Sequence, residues 1–123
     1  MIVGIGTDIV SVARMADLHI RHGARALDKL LAAAERDECA AAPDAARFLA
    51  KRFAAKEALG KALGTGLRAP AVMPAIAVVH DALGRPAFAF DEALAARMAG
   101  LTAHLSISDE REYAVAFVVL DKT

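Results

Sequence analysis

The segment from Pro43 to Gly66 constrains this chain more than any other. Pro43 and Asp44 open a helix, and Gly64-Thr65-Gly66 stops it near Leu63. On a helical wheel Phe48, Leu49, Phe53, Leu59 and Leu63 define one apolar arc that any fold must cover. Arg52 and Lys56 fall inside that arc, one turn apart. Glu57 and Lys61, also one turn apart, sit at its edge beside Ala50 and Ala54. Charges set in an apolar stripe must snorkel, pair or bind a ligand. Gly60 costs about 1 kcal/mol relative to Ala in a helix interior, which points to a close approach by another group.

The rest of the chain supplies strands to cover that arc. Ile2 to Val10 reads as a strand, with Val3, Ile5, Thr7 and Ile9 on one face and Gly4, Gly6 and Asp8 on the other. Ser11 caps a helix to about His22, ended by Gly23, and shorter helices follow at 24–31 and 33–41. After a loop at 67–74, strands are expected at 75–81 and 87–90, joined by the turn Ala82 to Pro86. Asp91 caps a helix to about Gly100, and strands His104–Ser108 and Tyr113–Leu120 follow. This order predicts an α+β fold over residues 1–123, one domain, with a mostly antiparallel sheet packed on one long helix.

Composition narrows the function. Fifteen Lys+Arg balance fifteen Asp+Glu, which argues against nonspecific nucleic-acid binding while leaving room for local patches. No apolar run reaches the roughly 18 residues of a membrane span. A single Cys excludes an internal disulfide framework, and no basic leader precedes the first strand, so the location expected is cytoplasmic. Hydrophobic residues make up 57% of the chain, more than so small an interior can hide, which favours an oligomer.

Asp8 shares its strand face with two glycines, so it either caps the next helix or lies where a ligand or backbone approaches closely. Gly4-x-Gly6 is no dinucleotide fingerprint, because the third glycine would fall at Ile9. Gly60-Lys61 lacks the upstream glycine and the Ser/Thr of a phosphate-binding P-loop. Glu57 and Lys61 are an ordinary surface pair or part of a site. His104, Ser106 and Ser108 form a polar row opposite Leu105 and Ile107, either solvated or walling a cleft. Arg14 and Arg21, with Arg25 just beyond the helix, lie roughly along one side of it, interrupted by Asp17, and are either merely solvated or able to dock an acidic partner. On the residues alone, a noncatalytic oligomeric module binding a nucleotide or an acidic protein competes with an enzyme.

Two motifs decide between them. Gly4-Ile5-Gly6-Thr7-Asp8-Ile9-Val10 and the fifteen residues from Arg52 to Gly66 together resemble the holo-[acyl-carrier-protein] synthases, small bacterial 4′-phosphopantetheinyl transferases. Asp81 to Pro86 and His104 to Ser108 are weaker echoes. The resemblance implies Mg²⁺-dependent transfer of 4′-phosphopantetheine from coenzyme A to a serine of apo acyl carrier protein, in fatty acid biosynthesis. It implies Asp8 and Glu57 as metal ligands, Lys61 at the coenzyme phosphates, and Arg52 at a phosphate or in a structural pair. Gly64 and Thr65 of one turn, and Gly84 and Pro86 of another, would line the coenzyme cleft, with His104 near the nucleotide. Arg14 and Arg21 would meet the carrier. A homotrimer with active sites between subunits is implied as well. His80 and Asp109 depart from the family pattern and receive no role.

Overall fold

The helix caps form where the sequence places them. Ser11 Oγ accepts from Arg14 N at 3.3 Å, Asp44 Oδ1 from Arg47 N at 3.1 Å, and Asp91 Oδ1 from Leu94 N at 3.0 Å. The computed structural model describes residues 1–123. In chain order the elements are β1 (Ile2–Ser11), α1 (Val12–His22), α2 (Ala24–Leu30), α3 (Ala33–Ala41) and α4 (Ala45–Leu63). There follow a 3₁₀ turn (Met73–Ala75), β2 (Ile76–His80), β3 (Pro86–Phe90), α5 (Glu92–Arg97), β4 (Leu101–Asp109) and β5 (Tyr113–Lys122).

All strand pairs are antiparallel, but they form two sheets. One has the order β1-β5-β4 and the other is the β2–β3 hairpin. β4 starts three residues earlier than expected, because Leu101 and Thr102 find ladder partners in Lys122 and Asp121. α5 stops at Arg97, short of Gly100, whose φ of 82° ends any regular helix there.

The arc that α4 buries is wider than the bulky residues suggest, and it is built on alanine. Ala50, Ala54, Ala55, Ala58 and Leu59 are fully buried, whereas Phe48, Phe53 and Leu63 are only half-buried. Small side chains let α4 lie very close to β1. A methyl group at Gly4 would overlap the Ala62 carbonyl oxygen, and one at Gly6 would overlap the Ala58 carbonyl oxygen. The glycines beside Asp8 therefore make room for the chain's own helix, not for a ligand. Gly60 has a similar reason: Gly66 and Leu67 fold back against it, and Gly66 N donates to Gly60 O at 3.1 Å.

The other face of the sheet is open. Ile5, Ile9, Val115 and Phe117 project from it, with Ile9 63% exposed. Register puts His104 opposite Val119, and Val119 opposite Ile5, so His104 belongs to this outer face. No helix is long and apolar enough to cross a membrane.

Candidate active site

The contact between β1 and α4 brings together residues about fifty positions apart in sequence. Because Gly4 and Gly6 press on α4, Asp8, on the same strand face, reaches the helix where Glu57 and Lys61 lie. Lys61 Nζ donates to Asp8 Oδ1 at 3.1 Å and to the Thr7 carbonyl oxygen at 3.0 Å. Asp8 is largely covered, with its side chain 17% exposed, while Lys61 remains open. Burial pushes the Glu57 carboxyl above its ordinary pKa, and the Asp8 charge adds to that push. Lys61 and Arg14 oppose it more weakly. Arg14 stands at the margin of this group, its guanidinium 5.4 Å from the centre of the Phe53 ring.

Two carboxylates with a raised pKa on one of them form an oxygen-only donor pair. No third His, Cys, Asp or Glu joins them. A cation held here would leave most of its coordination sphere to water and substrate oxygens. That suits Mg²⁺, which keeps several waters and takes one or two carboxylates alongside phosphates. The donor set does not suit zinc, which favours His and Cys. Lys61 adds a point charge fit for a phosphate.

A second cleft, of about 190 Å³, opens between α4, the hairpin and β4. Lys51 and Arg52 line it from the helix, His80, Gly84 and Pro86 from the hairpin, and Asp109 from β4. The hairpin turn is locked by Asp81, whose Oδ1 accepts from Leu83 N and Arg85 N, both at 2.9 Å, while Oδ2 accepts from Arg85 Nε at 3.0 Å. These bonds hold the Asp81 carboxyl below its usual range. Gly84, at φ 83°, makes the turn possible. Arg47 Nε donates to Asp109 Oδ2 at 2.6 Å, tying the start of α4 to the end of β4. The Gly64-Thr65-Gly66 turn closes α4, with Gly64 left-handed at φ 80°.

The charges embedded in the helix arc have a different fate. Lys56 is fully buried and donates to Glu35 Oε1 at 2.6 Å, Leu30 O at 2.7 Å and Met73 O at 3.0 Å. Burial lowers its pKa, and Glu35 partly restores it. Arg52 Nε lies 3.2 Å from Glu35 Oε2, at an angle too poor for a hydrogen bond, and Nη2 donates weakly to Glu38 at 3.4 Å. Its guanidinium also covers the Phe48 ring at 4.3 Å. Arg52 is thus engaged in a structural pair, the second of the two roles the sequence left open for it.

The structure therefore gathers Asp8, Glu57, Lys61 and Arg14, and separately Gly84, Pro86 and Arg52. It does not bring His104 to either group, since His104 lies on the outer sheet face, 3.9 Å from Asp121. Arg21 is exposed and pairs with Asp17 at 3.2 Å. Sequence reasoning missed Glu35 and Lys51. The spacing of Glu35 three residues after Ala32 was the available signal, since Glu35 Oε1 accepts from Ala32 N at 3.0 Å as in half a capping box.

Comparison with known proteins identifies the family. Residues 4–118 match the model of the 4′-phosphopantetheinyl transferase superfamily. The chain is 59% identical to a holo-[acyl-carrier-protein] synthase of Laribacter hongkongensis, over 98% of this chain and 99% of the relative. It is 59% identical to that of Dechloromonas aromatica, over 98% of each. The fold is similar to the crystal structure of the holo-[acyl-carrier-protein] synthase from Neisseria meningitidis, with TM-score 0.95 and 43% identity, covering 99% of this chain and 100% of that one. It is also similar to a Bacillus anthracis synthase in complex with CoA (3′,5′-ADP), with TM-score 0.86 and 34% identity, covering 100% and 99%.

Proposed function

The chain belongs to the 4′-phosphopantetheinyl transferase superfamily, and we propose that its reaction centre is the group formed by Asp8, Glu57 and Lys61. The protein is a holo-[acyl-carrier-protein] synthase in activity: it moves 4′-phosphopantetheine from coenzyme A to a serine of apo acyl carrier protein and releases adenosine 3′,5′-bisphosphate. One observation carries the siting. The β1–α4 contact delivers a covered carboxylate to a second carboxylate and an exposed lysine.

Asp8 and Glu57 would hold Mg²⁺, which when bound supplies positive charge to the pyrophosphate of coenzyme A. Lys61, now on Asp8, is long and exposed enough to turn to a phosphate oxygen. The serine oxygen bonds to the phosphorus on the pantetheine side, and the bond from that phosphorus to the oxygen of adenosine bisphosphate breaks. Lys61 stabilises the negative charge that this leaving oxygen takes. The Glu57 carboxylate takes the serine proton.

The cleft between Gly84, Pro86, Lys51 and Arg52 would receive the nucleotide end; Gly64 and Thr65, at the far end of α4, do not line it. His104 would serve the cleft of an adjacent copy, because its own lies across the sheet. The exposed apolar face of Ile5, Ile9, Val115 and Phe117 supports assembly through that face, as a homotrimer with shared sites. Arg14 and Arg21 would dock the acidic carrier, Arg14 beside the reaction centre. A cytoplasmic location and a role in fatty acid biosynthesis belong to the same proposal.

Intact-mass measurement of an apo carrier incubated with the protein, coenzyme A and Mg²⁺ tests the siting. One phosphopantetheine is gained, none with EDTA present, and none with Glu57→Gln. Full turnover in EDTA or in a folded Glu57→Gln variant overturns it.

A further inference from the structure

The polar node around Glu35 has no part in the reaction described above, yet it joins both walls of the coenzyme cleft. Glu35 is fully buried on α3. Its Oε2 accepts from Val78 N at 2.9 Å, on the edge of β2 that no strand covers. Its Oε1 accepts from Lys56 Nζ on α4 at 2.6 Å. Lys56 also donates to Met73 O, in the turn leading into β2. A single carboxylate and a single ammonium thus connect the helix to the hairpin by directional bonds at two points. All three Lys56 hydrogens have acceptors, so the node has no capacity left for a ligand.

We propose that Glu35, with Lys56, is a positioning pair for the coenzyme cleft: it fixes the β2–β3 hairpin against α4, so that Gly84 and Pro86 face Lys51 and Arg52. The pair stabilises the fold by answering Val78 N and the Leu30 and Met73 carbonyls, and its bonds also fix a geometry that apolar residues of similar volume would not. Ile76 and Val78 bury the hairpin as well, but apolar contact is nondirectional and does not set how far a strand slides along a helix. α4 has its own anchorage on the sheet, through Gly4 and Gly6 against Ala62 and Ala58. Loosening the node therefore moves the hairpin and leaves Asp8 and Glu57 in place. The nucleotide end loses affinity while the transfer step keeps its rate.

This rests on the cleft reading above, and the test separates the two. Glu35→Leu/Lys56→Met replaces the pair with apolar groups, and Glu35→Gln keeps its shape but offers one acceptor oxygen where two are used. In variants shown to be folded by thermal melting, KM for coenzyme A rises about tenfold in the double variant and about threefold in Glu35→Gln, with kcat within about twofold. An unchanged KM in either folded variant, or a loss confined to kcat, overturns the positioning role. Lys51→Ala, on the cleft wall but outside the node, reads the coenzyme site independently. A weaker coenzyme KM there supports the site, and an unchanged one overturns the siting while leaving the Glu35 result to stand as a separate fact.

Discussion

Lys56 and Glu57 are neighbours on α4, and their charges meet opposite circumstances. Lys56 turns inward to Glu35 and two carbonyls and is saturated. Glu57, about 100° round the helix, lies near Asp8, and burial first and the Asp8 charge second raise its carboxyl above the ordinary range. One cluster is sealed among buried partners, and the other sets two carboxylates close together beside an exposed lysine. The first holds structure together. The second keeps an exposed, movable lysine beside its carboxylates, which is how a binding site differs from a buried salt bridge on the same helix.

The sharpest way to break this contrast is to remove one of the two carboxylates. Glu57→Gln or Asp8→Asn should lower turnover by about a thousandfold or more, roughly 4 kcal/mol of transition-state stabilisation, with the fold intact. Carrier modification by intact mass, with circular dichroism on the same samples, checks it. Turnover within about tenfold of the parent in either variant would remove that carboxylate from the centre.

Removing one partner from the saturated cluster should damage stability instead. Lys56→Ala leaves the buried Glu35 without its ammonium and strands two carbonyl oxygens, at about 3 kcal/mol. Urea unfolding reads this as a lower midpoint. A midpoint equal to the parent's would show that the node adapts and that the contrast is weaker than drawn.

Gly6→Ala attacks the contact that carries Asp8 to the helix. The added methyl meets the Ala58 carbonyl oxygen, a backbone atom that cannot swing aside, so strand and helix must separate. About 2 kcal/mol of stability should be lost. Because Asp8 is two residues along the same strand face, affinity for Mg²⁺ should fall with it. Retained stability and retained Mg²⁺ affinity together would refute the close-packing account.

Much of this architecture was legible. Strand alternation, the caps at Ser11, Asp44 and Asp91, and the glycine stop after Leu63 rest on local chemistry, and they form at or near the expected positions. Arg52 and Lys56 stood out as charges in an apolar arc, but their partner did not. Glu35 sits on a short helix and meets Lys56 across 21 positions, a separation no periodicity encodes. The Gly4 and Gly6 pair was readable as a close approach, but what approaches, α4, is a matter of tertiary packing. Asp8 beside Lys61, 53 positions apart, was foreseeable only through the resemblance of whole motifs.

The smallest effect is the most diagnostic of the two crowded carboxylates. In the metal-free protein the folded pKa of Glu57 is raised above its unfolded value. The folded state therefore binds the proton more tightly than the unfolded state. Below the unfolded pKa, about 4.3, both states are protonated and Glu57 costs nothing; stability declines as pH rises through the window up to the folded pKa, and above it the cost stays constant. Glu57→Gln removes that ionisable group, so at neutral pH with EDTA its melting temperature should exceed the parent's by about 2 °C, the two converging in acid. Asp8→Asn should act the same way by removing the second cause of the shift. Saturating Mg²⁺ should reverse the order, because only the parent's two carboxylates gain from the ion. A Glu57→Gln protein less stable than the parent at neutral pH without metal would mean that Lys61 and Arg14 already answer the charge, and the two clusters would no longer differ in kind.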